Sequence, residues 1–282
     1  MQIFELFRFQ LLPISQQQQE LFTKTYTVEE IREHKNEFLD SVLTKLPEFL
    51  HPRTEIRHKV ERHEDELFIF KLSAHKSLSR YTEEFTLEQL ETWPNVTVVI
   101  NNTPDRQVIG ISRNLLAFTS GHVVANMLER TLNRPLAEFG LTIQIQEQFA
   151  KNNFWEIIDK YRGRIKRVRF EMVSPNMANI SHVLKVDLKQ LNRESNSQRT
   201  SIQLEAVDGA SLELSPNNPL IAGCVEYASA GGGDIATKVN GFKKEIRTST
   251  SVTTVAIDSL EMELPKKDAL AALNRILENA TG

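Results

Sequence analysis

The chain has 282 residues, of which 40% are hydrophobic and 25% are charged, and its formal net charge is -3 at pH 7. This composition is ordinary for a globular protein, and the charge excludes a global attraction to nucleic acid or to anionic lipid, so any such affinity must be local. The single cysteine, Cys224, excludes an intramolecular disulfide and a cysteine-rich zinc site, which fits a reducing cytoplasm.

The N-terminal segment, residues 1–13, is rich in Phe and Leu, but it carries charges within its apolar run and lacks a basic lead. It therefore predicts a first strand over residues 3–12 rather than a signal peptide. No apolar run in the chain approaches the roughly 20 residues that a membrane-spanning helix needs. We therefore expect a cytoplasmic protein with no membrane span.

The rest of the first half alternates strands and helices. Thr27 followed by Glu30 is a capping-box pattern, which predicts that a helix begins at residue 28 and ends before Pro47. Further helices are predicted near residues 86–92 and over 121–133, the latter with Ser120 as its N-cap. Strands are predicted over residues 55–61, 67–73, 96–100, 107–112 and 141–145.

The second half begins with a linker helix over residues 149–161 and the basic strand Arg162–Val173. Asp208-Gly209 and Asn240-Gly241 are dipeptides typical of two-residue hairpin turns. They predict hairpins between strands 202–206 and 211–214 and between strands 235–239 and 243–248. A further strand is predicted over 251–257, and helices over 178–192, 220–228 and 268–279.

Interspersed helices and hairpin-linked strands predict an α+β fold with antiparallel strands and packed helices. We expect two mixed domains, residues 1–150 and residues 151–282, of which the second begins with the basic strand. Arg8-Phe9 and Arg169-Phe170 each open a strand that ends at a proline and leads towards a helix. Because such transitions are common, the similarity is compatible with an internal duplication but does not establish one.

The basic stretch is the strongest functional signal in the chain. Between Lys151 and Phe170 there are seven Lys or Arg residues and two acids, a local charge of +5 that leaves -8 for the remainder. Arginine binds phosphate through paired hydrogen bonds, and the neighbouring Trp155 and Tyr161 are able to stack on exposed bases. The candidate nucleic-acid-binding residues are therefore Arg162, Arg164, Lys166, Arg167 and Arg169.

An alternative interpretation of the same stretch needs no ligand. Strand alternation turns Val168, Phe170 and Met172 towards a core and leaves the arginines on the opposite face. Those arginines are then a solvated surface, or they form salt bridges to the acidic segments 29–37 and 61–66.

The second candidate is the loop formed by Gly231, Gly232 and Gly233, because the backbone N–H groups of a glycine-rich turn are able to contact phosphate. A P-loop is not indicated, since a strand follows the glycines where a P-loop has Gly-Lys-Ser/Thr at a helix start. We consider a contact with a nucleic-acid backbone and, as the alternative, a plain connection between a helix and a strand.

We assign no catalytic residue, metal ligand or cofactor. The seven histidines include no zincin spacing, and Ser120-Gly121-His122 is not a nucleophile elbow. Metal-dependent phosphoryl chemistry needs several converging acids, for which the candidates are Glu205, Asp208, Glu213 and Asp234. Because such acids converge only in the fold, a metal-dependent nuclease stays an alternative. Cys224 has no neighbouring base and is expected to be a buried thiol.

The central segment consists of Val96–Ile100, a turn, and Gln107-Val108-Ile109-Gly110-Ile111-Ser112-Arg113. This segment resembles the Rex exclusion sensor family of temperate phages. The length of the chain and its mixed α/β plan are also similar to those of that family. The resemblance implies a DNA-binding, dimer-forming component of phage exclusion or antiviral defence, and it transfers no site residue. The predicted C-terminal helix is acidic to neutral rather than basic, which departs from the DNA contacts that the family implies. The recurring strand-helix unit also resembles ferredoxin-like RNA-binding domains, without their usual aromatic motifs.

We therefore expect a non-enzymatic α+β protein that binds the phosphate backbone of DNA or RNA through the basic stretch. A homodimer and a separate effector protein, acting in antiviral defence, are the further partners that we expect. The alternatives are a metal-dependent nuclease and a protein-interaction adaptor or inhibitor that uses the acidic segments.

Overall fold

The computed structural model describes residues 2–14, 26–64, 66–104, 106–173, 195, 197, 199–248 and 253–257. The helices predicted over 178–192 and 268–279 lie outside these residues. Within the described part of the chain, four α-helices and thirteen strands in antiparallel sheets confirm the α+β prediction. No helix of that part is long and apolar enough to cross a membrane.

The strands of the first half are β1 (Gln2–Pro13), β2 (Ile56–Glu64), β3 (Leu67–Ala74), β4 (Lys76–Tyr81), β5 (Leu87–Thr92), β6 (Asn95–Asn101), β7 (Val108–Ser112) and β8 (Leu141–Glu147). Those of the second half are β9 (Ile165–Val173), β10 (Arg199–Glu205), β11 (Gly233–Val239), β12 (Ile246–Arg247) and β13 (Thr254–Ile257). The helices are α1 (Val28–Thr44), α2 (Gly121–Leu136), α3 (Lys151–Lys160) and α4 (Pro219–Tyr227). A 3-10 turn (Ala137–Phe139) follows α2, and a π-helical turn (Ala228–Gly232) follows α4.

The larger sheet is built around β1. Its strand order is β13-β1-β7-β6-β3-β2, and β8 also pairs with β1. Residues 4–8 of β1 pair with β7, while residues 2–5 pair with β13 and residues 7–13 pair with β8. Since a strand has two edges, β13 and β8 follow one another along the edge that faces away from β7. This central position explains why β1 is apolar along most of its length.

Helices α1 and α2 cover one face of the larger sheet. Phe7, Phe9 and Leu11 of β1 belong to the same buried cluster as the apolar residues of both helices. The predicted capping box of α1 is confirmed: the Glu30 N–H donates to Thr27 Oγ1 at 3.2 Å, and the Thr27 N–H donates to Glu30 Oε2 at 2.7 Å. These bonds satisfy N–H groups that have no partner inside a helix.

The start of α2 differs from the prediction. Ser120 is the N-cap residue, but its hydroxyl makes no capping hydrogen bond. The Gly121 N–H instead donates to Oε2 of Glu5, at 2.7 Å. A carboxylate is a favourable acceptor at the positive end of a helix dipole. The Glu5 side chain of β1 therefore caps this helix, and the predicted capping bond from Ser120 is absent.

Residues 86–92 are not helical, contrary to the prediction. They contribute β5, which pairs with β4 in a separate two-stranded sheet. Leu87 and Leu90 have helical spacing, and the Glu and Gln residues around them are good helix formers. Cross-strand pairs such as Leu78 with Leu90 nevertheless form, because pairing with a second strand outweighs a weak local preference.

The turn at Gly209 forms, but the hairpin predicted around it does not. Gly209 has a φ of +82°, and the Ala210 N–H donates to the Val207 carbonyl at 3.0 Å. Residues 211–214 form no strand. Leu212 instead makes one backbone contact with the start of β9, where its N–H donates to the Ile165 carbonyl at 2.8 Å.

The connection between β11 and β12 is longer than the predicted two-residue turn. The two strands pair only through two positions of β12, Ile246 and Arg247, so the loop spans residues 240–245. Nζ of Lys238 donates to the carbonyls of Phe242, at 2.7 Å, and of Lys243, at 2.8 Å. These bonds stabilise the longer loop.

The smaller sheet has the strand order β10-β9-β11-β12. As predicted, Val168, Phe170 and Met172 are buried on its inner face. They lie in one cluster with residues of α3 and α4, including Phe154 and Tyr227. The Tyr227 hydroxyl also donates to the carbonyl of the last residue of β9. The prediction that Val168, Phe170 and Met172 face the core is therefore confirmed.

The buried side chains form two main clusters, one drawn from residues 7–145 and the other from residues 149–235. The domain boundary near residue 150 stays a prediction. Arg8 of β1 connects the two regions, because its Nη1 donates to the Ala230 carbonyl in the π-helical turn at 2.7 Å. Burial lowers the pKa of Arg8 to about 10, so this arginine remains charged at neutral pH.

Candidate nucleic-acid interface

The outer face of the smaller sheet carries the central arginines of β9. Nη2 of Arg167 lies 2.9 Å from Oε1 of Glu245, and Nη2 of Arg169 lies 3.2 Å from Oε2 of the same residue. Nε of Arg169 also lies 2.9 Å from Oε1 of Glu171. The hydrogen bond from Arg167 holds the pKa of Glu245 below its usual value. One carboxylate in the loop before β12 thus pairs with both arginines.

Further acids complete this network. Arg247 of β12 lies 2.7 Å from Asp234 and 3.5 Å from Glu171, while Glu205 of β10 lies 3.8 Å from Arg167. The hydrogen bond to Asp234 raises the pKa of Arg247 further above its ordinary value. Because acids are interleaved with the arginines, this part of the face has little net charge to attract a polyanion.

Salt bridging, the alternative interpretation of the basic stretch, therefore applies to Arg167 and Arg169, but with other acids. Their partners lie in the smaller sheet and its loop rather than in segments 29–37 and 61–66. Arg162 pairs with Asp159 at 2.6 Å, and both side chains are mostly exposed. Such a surface pair contributes little to stability and is easily exchanged for another anion.

Arg164 and Lys166 differ from these arginines, because neither forms an ion pair with a described residue. Nη2 of Arg164 donates to the Asn240 carbonyl at 2.9 Å, and Nζ of Lys166 donates to the Ala210 carbonyl at 2.5 Å. Carbonyl oxygens position the two side chains but do not neutralise their charge. Arg164 is exposed and Lys166 is half-buried, so both remain accessible to an anion.

The end of β11 and the loop that follows it bring three more lysines to this end of the sheet. The Asn240 N–H donates to the Arg164 carbonyl at 2.8 Å, which fixes the loop beside the start of β9. Lys238 precedes the loop, and Lys243 and Lys244 are exposed within it. The sequence prediction missed these lysines, because they are distant from the basic stretch along the chain. The available signal was the Lys-Lys pair that follows the Asn-Gly turn.

Two aromatic side chains lie among these cations. The rings of Tyr161 and Phe242 have centroids 5.3 Å apart and an interplanar angle of 73°. The guanidinium carbon of Arg164 lies 6.0 Å from the Tyr161 centroid and 5.9 Å from the Phe242 centroid. Phe242 is 40% exposed, so part of its ring is open to a ligand.

We call this region the basic end. It consists of the accessible cations and aromatic residues at one end of the smaller sheet, namely Lys160, Tyr161, Arg162, Arg164, Lys166, Lys238, Phe242, Lys243 and Lys244. Of its seven cationic side chains, only Arg162 forms an ion pair with another residue that the structure describes. Lysine, arginine and accessible aromatic rings are the groups that contact phosphate and stack on bases.

The three glycines of the second candidate are buried between other elements. A Cβ atom at Gly231 would collide with the Arg8 side chain, and one at Gly233 would collide with the Glu171 carbonyl. Gly231 also has a φ of +79°, which glycine adopts most readily. We therefore assign Gly231 to the contact between the π-helical turn and β1, and Gly233 to the close approach of β11 to β9. All three glycines are left out of the candidate interface.

The candidate nuclease acids lie in different surroundings. Asp234 and Glu205 belong to the ion-pair network, whereas Asp208 and Glu213 are exposed in the segment after β10. Among the described residues, no three His, Cys, Asp or Glu side chains are grouped so as to hold a metal ion. Cys224 is buried, as predicted, and burial raises the pKa of its thiol to about 11.

Comparison of the chain with protein-family models, with curated proteins and with solved structures gave no match in any of the three.

Proposed function

We propose that the chain is a non-enzymatic protein that binds single-stranded DNA or RNA through the basic end. The observation that carries this proposal is the grouping of six cations, which have no carboxylate partner in the described part of the chain, around the Tyr161–Phe242 pair. A nucleic-acid backbone supplies the anions that these cations lack. Unpaired bases supply flat surfaces for the aromatic rings.

A single strand fits this surface better than a duplex. Stacking on Phe242 requires a base whose face is free, and a duplex keeps its base faces in the interior of the helix. Contacts with phosphates and ring faces carry little sequence information, so we expect weak sequence specificity. DNA and RNA both present these groups. The resemblance to the Rex sensors favours DNA, a homodimer and a role in antiviral defence with a separate effector.

The predicted residues are expected to contribute unequally to binding. Arg164 and Lys166 remain central and are joined by the loop lysines. Arg167 and Arg169 contribute less, because a phosphate must compete with Glu245 for both of them. An exchange of one anion for another releases less free energy than the pairing of a free cation with phosphate.

Fluorescence anisotropy of short labelled single strands tests the proposal. Lys243→Glu/Lys244→Glu reverses two exposed charges and should weaken binding by about 10- to 100-fold, with a smaller salt dependence between about 50 and 200 mM. The matched control Lys45→Glu/Arg53→Glu reverses two exposed cations outside the basic end and should leave the affinity nearly unchanged. Wild-type protein without salt-sensitive binding, or equal losses in the two variants, would refute the proposal.

A further inference from the structure

A β-hairpin extends from the larger sheet. Strands β4 and β5 follow β3 and precede β6 along the chain, and they pair only with each other among the described strands. We call residues 76–92 the arm. Its strands form six cross-strand pairs. At about 3.3 Å per residue, the arm lengthens the β3–β6 ribbon by about 20 Å.

The arm carries a large share of the exposed apolar side chains in the described part of the chain. Thirteen large hydrophobic side chains are exposed in the described part of the chain, and five of them belong to the arm: Leu78, Tyr81, Phe85, Leu87 and Leu90. Phe85, at the tip, is 88% exposed and has a φ of +58°. A bulky residue rarely adopts this left-handed backbone conformation. The cross-strand pair Leu78–Leu90 lies on one face of the arm and the pair Tyr81–Leu87 on the other, so exposed apolar groups occupy both faces as well as the tip. Exposed apolar groups brought together in this way mark an interaction surface.

The charge of the arm indicates which kind of surface it can bind. The arm contains four glutamates against Lys76 and Arg80, and Glu83 and Glu84 immediately precede Phe85. Nucleic acid and anionic lipid would be repelled by this tip, and two arms would repel each other. The arm therefore fits a basic surface that also offers apolar side chains.

The basic end of this same protein has both properties. Its lysines and arginines surround the exposed Phe242, and Val207, in the adjoining turn, is 77% exposed. The Ala206 N–H donates to the Lys166 carbonyl at 2.8 Å, which places that turn beside the basic end. Within one chain the tip of the arm is uncovered, so its own basic end does not bind it.

We propose that the arm of one copy docks on the basic end of a second copy. Each copy carries one arm and one basic end, so reciprocal docking forms a closed twofold dimer. This dimer does not depend on nucleic-acid binding. Because both ligands would occupy the basic end, a single strand and the arm of a second copy compete for it.

A charge-swap series tests the proposal by sedimentation velocity of the full chain without nucleic acid. Glu83→Lys/Glu84→Lys and Lys243→Glu/Lys244→Glu should each raise the dimer Kd by about 100-fold, because like charges then face each other. Combining the four substitutions in one chain restores opposite charges and should return the Kd to within about tenfold of wild type. A dimer through any other surface would show no such rescue.

The apolar tip is tested in the same assay. Phe85→Ser should weaken the dimer, whereas the control Leu50→Ser, at a site that is 77% exposed outside the arm, should not. Wild-type protein that remains monomeric at about 100 µM, or a four-substitution chain that fails to recover affinity, would overturn the proposal. Failure to bind nucleic acid would leave these results unchanged, so the two proposals can fail separately.

Discussion

Glu245 pairs with two arginines at once, since its Oε1 lies 2.9 Å from Nη2 of Arg167 and its Oε2 lies 3.2 Å from Nη2 of Arg169. A phosphate that approaches either arginine must displace this carboxylate. A phosphate that approaches Lys243, which is exposed in the same loop, displaces only water and counterions. Glu245 thus helps to neutralise the centre of the sheet, whereas the cations of the basic end keep their charge.

We expect Glu245→Gln to increase the affinity for single-stranded nucleic acid by about three- to tenfold and to steepen its salt dependence. The substitution removes the anion that Arg167 and Arg169 share, so each arginine keeps one acidic neighbour, Glu205 or Glu171, and becomes more accessible to phosphate. Glu138→Gln is the matched control, because it removes the same charge from an exposed position after α2. Anisotropy titrations measure both variants. Equal gains would mean that net charge alone, rather than release of the two arginines, determines affinity.

We expect Phe242→Ala to weaken binding to single strands by about 5- to 100-fold, which is the loss typical of one stacked base. Binding to a duplex of the same length should change much less, and Phe242→Trp should retain affinity for single strands. Phe85→Ala is the control, because it removes an exposed aromatic ring from the arm. At protein concentrations where the chain is monomeric, this control should bind as wild type does. Equal losses on single strands and duplexes would argue against stacking.

Much of the larger sheet could be predicted, because its signals are local. The apolar run of β1 and the Thr27–Glu30 capping box each lie within a few residues, and both predictions are confirmed. The strand at 87–92 could not be predicted in the same way. Its Leu, Glu and Gln residues favour a helix locally. The strand forms because it pairs with β4, and the local sequence does not show that pairing.

The candidate site was predictable only in part. Charge density along the chain places Arg164 and Lys166 among the candidates, and strand alternation correctly predicts the buried face of β9. The pairing of Arg167 with Glu245 joins residues 78 positions apart and depends on the loop between β11 and β12. Lys243 reaches the same end of the sheet through that loop. The Lys243-Lys244 pair indicates a basic turn, but no local pattern shows which strand lies beside that turn or that Glu245 reaches Arg167.

Stability should depend on the protonation of His122. Its Nδ1 is hydrogen-bonded to the buried carboxylate of Glu147, and this bond raises the pKa of His122 above the ordinary 6.5. A group with a raised folded-state pKa contributes stability below its unfolded-state pKa and loses it as pH rises through the folded-state value. Half of the His122 side chain is exposed, so solvent screening limits the contribution to less than about 1 kcal/mol.

We therefore expect His122→Gln to lower the free energy of unfolding relative to wild type at about pH 5.5 and to change it little at about pH 8.5. Urea denaturation at the two pH values measures the difference. His51→Gln is the control, since it replaces a histidine outside this pair, and the loss for His122→Gln at the lower pH should exceed the loss for this control. A larger loss at the higher pH would reverse the sign required by a raised pKa and would contradict the assignment.

Gly231 and Gly209 have nearly the same φ, +79° and +82°, and both lie in the left-handed range. A Cβ atom at Gly231 would collide with the Arg8 side chain, whereas nothing lies within 4 Å of one at Gly209. We expect Gly209→Ala to cost about 1 kcal/mol, for the left-handed conformation alone. Gly231→Ala should cost about 3 kcal/mol or more, because β1 and the π-helical turn must also separate. Urea denaturation of the two variants isolates the contribution of that packing, and equal losses would mean that Arg8 can move away from the turn at no cost.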